Sequence, residues 1–159
     1  MQDMHIGKDG NDDIIEQYFA SLEQLTESVS NNYFIDDLVY VIGGDILNMD
    51  TFSGTTTAGT PVENSDKAYN VYAEAFDALY RGIRFLKERC ETLHIMFIPG
   101  NHDRLSSYHL VHALSKAIQE ESIIWHSDYA ERKVLTFSNN FFAFEHGDVN
   151  TKNSLLVYA

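Results

Sequence analysis

The chain has 159 residues, 44% of them hydrophobic and 13% aromatic, a composition that can bury a core of its own and excludes a disordered segment. Eleven basic against 24 acidic residues give a net charge of −13, which repels polyphosphate backbones and disfavours non-specific nucleic-acid binding unless cations supply positive charge locally. The single cysteine, Cys90, excludes an intramolecular disulfide and fits a reducing, cytoplasmic setting; no apolar run approaches the ~18 residues of a membrane span, and the N-terminus has no signal-peptide pattern.

A first helix is expected from Asp12 to Val29, where Ile14, Ile15, Tyr18, Phe19, Leu22, Leu25 and Val29 recur in steps of three and four behind Asn11 as N-cap. The apolar run Leu38–Ile42 follows and ends in glycines, which reads as a strand buried on both faces of a parallel sheet. Between Asn48 and Asn64 Thr, Ser and Gly dominate and Pro61 breaks the pattern; such an insertion in a compact domain is either functional or disordered. A second helix runs from Lys67 to about Arg89, capped by Ser65 or Asp66, and leads into a second buried strand, Leu93–Ile98. A third helix covers Tyr108 to Gln119. Ile123–Trp125, Val134–Phe137 and Phe141–Phe144 are further strands, the last two a hairpin about Ser138-Asn139-Asn140, with the Phe141–Phe144 aromatics as core packing. The alternation predicts one α/β domain over 1–159, with a mixed sheet flanked by helices.

The polar residues that can carry chemistry fall at the carboxyl ends of these strands, where open α/β sheets collect ligands. They are Asp3-Met4-His5, Gly44-Asp45-Ile46-Leu47-Asn48, Gly100-Asn101-His102-Asp103 and His146-Gly147-Asp148. Carboxylate, imidazole and amide oxygen suit divalent ions such as Mn²⁺, Fe²⁺ or Zn²⁺. Singly these blocks are weak signals, since Asp-x-His arises often by chance and Gly-Asp after a strand is usually a turn. Gly-Asn-His-Asp straight after a buried strand is sharper.

In order, the blocks resemble the signature of the calcineurin-like metallophosphoesterases, D-x-H … G-D-x-x-N … G-N-H-D … H … G-H-x-H, and the Thr51–Pro61 loop looks like phage and bacterial members. The resemblance implies part of a four-layer αββα sandwich and a dinuclear metal site. Asp45 would bridge two divalent ions, Mn²⁺ foremost with Fe, Zn or Mg as alternatives; Asp3 and His5 would complete one site, Asn101 and His146 the other. His102 would lie outside the metal shell as general acid or phosphoryl stabiliser, with Asp103 orienting its imidazole. Arg104, beside the motif, is either a phosphate contact or a surface arginine.

The chain departs from that signature twice. Only Met1 and Gln2 precede Asp3 where the family has a buried strand, and no histidine follows His146 to form the closing G-H-x-H. The expectation is therefore a fragment that holds at most one ion firmly, on the Asp45, Asn101 and His146 side, shows little or no phosphatase activity, and self-associates through an exposed sheet edge. Two functions compete: hydrolysis of a phosphomonoester or phosphodiester, with a DNA-repair-type nuclease as the variant that the net charge opposes, and a non-catalytic interaction module. His109 and His112 read as an exposed helix face, His94 and His126 have no partner in sequence, and Cys90 reads as a small buried hydrophobe.

Overall fold

A computed structural model describes residues 3–137 and 139–148. In chain order they form α1 (Ile14–Ser30), β1 (Asp37–Gly43), α2 (Ala68–Lys87), β2 (Thr92–Ile98), α3 (Arg104–Ala117), β3 (Ile123–His126), β4 (Arg132–Phe137) and β5 (Asn140–Glu145). The three short apolar runs β1, β2 and β3 lie parallel in that order, with Leu38 opposite Leu93, Ile42 opposite Phe97, and Leu93 also opposite Ile123. The strands divide into two sheets instead of sharing one mixed sheet. β4 and β5 are antiparallel partners of each other, so the hairpin completes its ladder without joining the parallel sheet.

Each β1 and β2 residue faces one of two layers. Tyr40 points to the helices, where its hydroxyl meets that of Tyr18 on α1 at 2.8 Å, both buried. Gly82 of α2 makes room for this pair, since a Cβ there would stand 1.8 Å from the Tyr18 hydroxyl. His94 points the other way and meets the edge of Phe137 on the hairpin at 5.1 Å between centroids. Covered on both sides, Ile95 to Ile98 are all buried, which explains why this half of β2 is apolar at successive positions instead of alternating.

Helix boundaries shift where distant groups supply the caps. α3 begins at Arg104 rather than Tyr108 because the Asp50 carboxylate accepts from the N–H groups of Leu105 and Ser106, at 3.2 and 2.7 Å, satisfying first-turn donors. Asp13, not Asn11, occupies the N-cap of α1; Asn11 instead donates to the Met4 carbonyl at 3.0 Å. The Phe141–Phe144 run is not uniformly core. Phe141 and Phe142 are 59% and 47% exposed; as consecutive strand residues they lie on opposite faces of the hairpin, so neither face is closed over at these positions. Cys90 is buried, as expected of a small hydrophobe. Among the described residues no helix is long and apolar enough to cross a membrane.

Candidate metal centre

Residues 3–6 run beside the exit of β1. The N–H groups of Asp3, His5 and Ile6 donate to the carbonyls of Gly44, Asp45 and Ile46 at 3.0, 2.9 and 2.8 Å, while Met4 and Ile6 are buried. Among the described residues, only three other than glycine have a left-handed φ: Asp3 at 54°, His5 at 48° and Asp45 at 57°. That conformation costs of order 1–3 kcal/mol for non-glycine residues and persists where the surroundings impose it, so its confinement to three candidate ligands marks this as the place the fold holds under strain. Gly44 and Gly100 let the β1 and β2 exits approach closely; a Cβ on Gly44 would lie 2.7 Å from the Gly100 Cα.

Asp45 is at the centre. Its Oδ1 accepts the His102 N–H at 2.8 Å, and its Oδ2 lies 3.4 Å from His146 Nε2, which is itself 3.2 Å from Asn101 Oδ1. Ligand atoms of His5, Asp45 and His102 lie within 4.8 Å of one another, and so do those of Asp3, Asp45 and His146. Two three-residue groups therefore share one buried carboxylate. The grouping differs from the one the resemblance implies: Asp3 sits with His146, and His5 with His102. The left-handed turns at Asp3 and His5 break the strand alternation that would have aimed both side chains the same way.

The donor set suits a divalent ion. His5 Nδ1 and His146 Nδ1 are buried with no hydrogen-bond partner among the described residues. Burial, and then the neighbouring His102, lower the His5 pKa, favouring the neutral imidazole that binds metal. Carboxylate oxygens, ring nitrogens and the Asn101 amide oxygen together match Mn²⁺, Fe²⁺ or Zn²⁺ more closely than an all-oxygen site would.

His102 is oriented by Asn48, not by Asp103. Its Nδ1 lies 3.0 Å from the Asn48 backbone carbonyl; a carbonyl only accepts, so Nδ1 carries the proton and Nε2 is left for substrate, proton transfer or metal. Asn48 is held in turn through its Nδ2, which donates to Glu63 O and Asn64 Oδ1 at 2.8 and 2.9 Å. Asp103 is fully buried beneath the loop, where its Oδ2 accepts the Leu47 N–H at 2.8 Å. It ties the β1 exit to α3 and does not touch the imidazole it was expected to orient. Spacing alone could not separate these roles, because a backbone carbonyl leaves no trace in the residue types.

Asp103→Ala should therefore destabilise the protein by about 1–3 kcal/mol by stranding the Leu47 N–H, whereas Asp103→Asn keeps the acceptor and should cost less. Burial, followed by the opposing hydrogen bond from Leu47, leaves the Asp103 pKa raised to about 7. The folded state thus retains a proton that the unfolded chain releases near pH 4, so this contribution is full below about pH 4 and is lost as pH rises through about 7. Urea denaturation across that interval should show a falling stability in the parent protein and a flatter profile in Asp103→Asn. Equal slopes would rule out a raised Asp103 pKa.

The remaining polar residues divide between the site and the scaffold. The guanidinium of Arg104 is engaged by Glu131, by Tyr129 at 3.0 Å and by Asp148 at 2.7 Å, which makes it a tie between the loops around the site. Lys8, not singled out by sequence, lines a cleft with His5, Asn48, Val62, Glu63 and His102; its place three residues beyond His5 was the available signal. The Thr-rich loop is tied to the site: Thr57 N–H donates to the His102 carbonyl at 3.1 Å, Thr57 Oγ1 accepts from Arg104 N–H at 3.1 Å, and Thr57 Oγ1 donates to Asp50 at 2.7 Å. His94 and His126, without a partner in sequence, meet each other at 3.3 Å between ring nitrogens, with Asp37 at 3.2 Å on the far side of His94. No family model, curated protein or solved structure matches this chain.

Proposed function

We propose that this chain is a metal-dependent phosphoester hydrolase of the calcineurin-like metallophosphoesterase type. The observation that carries the reading is the convergence of all four sequence blocks on Asp45, giving two ligand groups with one carboxylate in common. On this reading the helices, the parallel sheet and the hairpin are three layers of an αββα sandwich.

Two divalent ions, when bound, would acidify a water and neutralise charge on the phosphoryl oxygens. Asp45 would be the ligand common to both, with Asp3, His5, Asn101 and His146 as the residues that would hold the ions beside it. Its Oδ1 also fixes the His102 backbone, so the imidazole is positioned relative to the ligands by a 2.8 Å bond and not by its rotamer alone. Holding its proton on Nδ1 towards Asn48, His102 has Nε2 free to stabilise the phosphoryl group or, when protonated, to pass a proton to the leaving alkoxide. Lys8 supplies the positive charge in the cleft for a phosphate oxygen.

Titration calorimetry with Mn²⁺, together with hydrolysis of 4-nitrophenyl phosphate and bis(4-nitrophenyl) phosphate, tests this function. The expected result is saturable metal uptake and a hydrolysis rate that rises with Mn²⁺ and falls with a chelator. Faster cleavage of the mono-ester assigns a phosphomonoesterase, and faster cleavage of the di-ester a phosphodiesterase. Failure to take up any divalent ion would overturn the proposal.

A further inference from the structure

The hairpin ladder ends on the pair Arg132 and Glu145, so the next residues outward on its two strands are Glu131 and His146. His146 stands just past the last ladder pair and is followed by Gly147, with a left-handed φ of 100°, and Asp148. Its ring rests on glycine backbone, since a Cβ on Gly44 would lie 2.3 Å from His146 Nδ1. Its Nε2 is 3.4 Å from Asp45 Oδ2 and 3.2 Å from Asn101 Oδ1. A ligand has to be held within about 0.5 Å of its working position, and the end of a ladder is where a strand frays first.

The guanidinium of Arg104 spans this end of the hairpin. On the β4 side it is engaged by Glu131 and by the Tyr129 hydroxyl at 3.0 Å, and that hydroxyl donates to Glu131 at 3.2 Å. On the β5 side its Nη2 donates to Asp148 at 2.7 Å. The Arg104 and Asp148 side chains are 20% and 16% exposed, so salt screens this pair less than one on the open surface. Arg104 is itself fixed: it is the first residue of α3, and its N–H donates to Thr57 Oγ1 at 3.1 Å.

Two contacts therefore join the same two segments, Asn101 with His146 and Arg104 with Asp148. Glu131 and Asp148 are both acidic and repel each other across the hairpin end unless a cation lies between them. A planar guanidinium answers two carboxylates in two directions, which a single ammonium nitrogen does not. We propose that Arg104 is the positioning residue for His146: by drawing Glu131 and Asp148 together it closes the end of the hairpin and keeps the His146 imidazole beside Asp45, ready for a divalent ion. This inference rests on the metal centre of the hydrolase reading. It makes the guanidinium a brace of the site and not a phosphate contact.

Arg104→Lys keeps the charge and loses the fork; Arg104→Gln loses both. If Arg104 acted through its charge alone, lysine would leave Mn²⁺ affinity unchanged and glutamine would raise it, because a positive charge near the ion is gone. The expected result in titration calorimetry is the reverse: both variants weaken Mn²⁺, for at least one ion per chain, about 10–100-fold while circular dichroism stays unchanged. Asp148→Asn cuts the clamp on the His146 side. It should weaken Mn²⁺ about tenfold or more even near 1 M salt, where the Debye length is about 3 Å and the loss of a distant charge is screened. A merely structural brace would lower the thermal midpoint of the chelator-treated protein and leave the Mn²⁺ affinity of the folded protein as it was. Unchanged or tighter Mn²⁺ binding in whichever of the three variants remain folded would overturn the inference. A parent protein that takes up no divalent ion overturns the hydrolase reading and this inference together. A parent that takes up Mn²⁺, beside variants that bind it equally well, overturns this inference alone.

Discussion

Asp45→Ala should abolish metal binding altogether, whereas His102→Ala should retain metal and lower kcat about 10²–10⁴-fold. The contrast follows from what each side chain touches. Asp45 belongs to both ligand groups, so its loss takes the shared buried carboxylate from each at once, leaving His5 with His102 on one side and Asp3 with His146 and the Asn101 amide oxygen on the other. Its loss also releases the His102 N–H, which Oδ1 accepts at 2.8 Å, so the proton donor would move even where an ion remained. His102 has its Nδ1 committed to the Asn48 carbonyl and one nitrogen available. If that nitrogen serves proton transfer, replacement by alanine slows turnover at constant metal content. Mass spectrometry of metal after dialysis, run beside the rate measurement, distinguishes the two cases. An alanine variant at His102 that loses metal makes His102 a ligand, as its group with His5 and Asp45 allows. An Asp45→Ala protein that keeps its metal would remove the shared carboxylate from the centre of the site.

Gly100→Ala should be the most damaging small substitution in the chain, with a destabilisation of about 3 kcal/mol or more and loss of metal binding. A Cβ at this position would stand 2.1 Å from the Asp45 nitrogen and 2.2 Å from its Oδ1, and 2.8 Å from the Gly44 carbonyl carbon. Two of those atoms are backbone, so no rotamer change relieves the contact; the β1 and β2 exits have to separate. Separation pulls Asp45 away from Asn101 and His102 and breaks the close approach on which both ligand groups depend. Gly10→Ala is the control, because nothing lies within 4 Å of its would-be Cβ, although its φ of 76° adds a backbone cost. Thermal denaturation and metal content together decide the outcome: a Gly100→Ala protein with unchanged midpoint and unchanged metal would mean that the two exits are not as closely packed as described.

Much of the scaffold was legible in the residues because it rests on local physics. The steps of three and four in α1 and α2, and the glycine-bounded apolar runs of β1 and β2, report burial directly, and the two strands lie parallel as expected. The positions of Asp3, His5, Asp45, Asn101, His102 and His146 at strand exits were equally readable, since ligands gather where parallel strands end. What could not be read were relations made by atoms distant in sequence. Asp50 fixes the start of α3 from across the fold. The Asn48 backbone carbonyl, chemically identical to every other, takes the role that residue type suggested for Asp103. The regrouping of Asp3 with His146 and of His5 with His102 depends on left-handed turns, and a backbone dihedral of a non-glycine residue is set by the neighbours that hold it. Sequence determined which side chains are present at the strand ends, because periodicity and burial act over a few residues. Tertiary structure decided which of them meet, because that depends on register, loop closure and backbone hydrogen bonds between segments that no local pattern encodes.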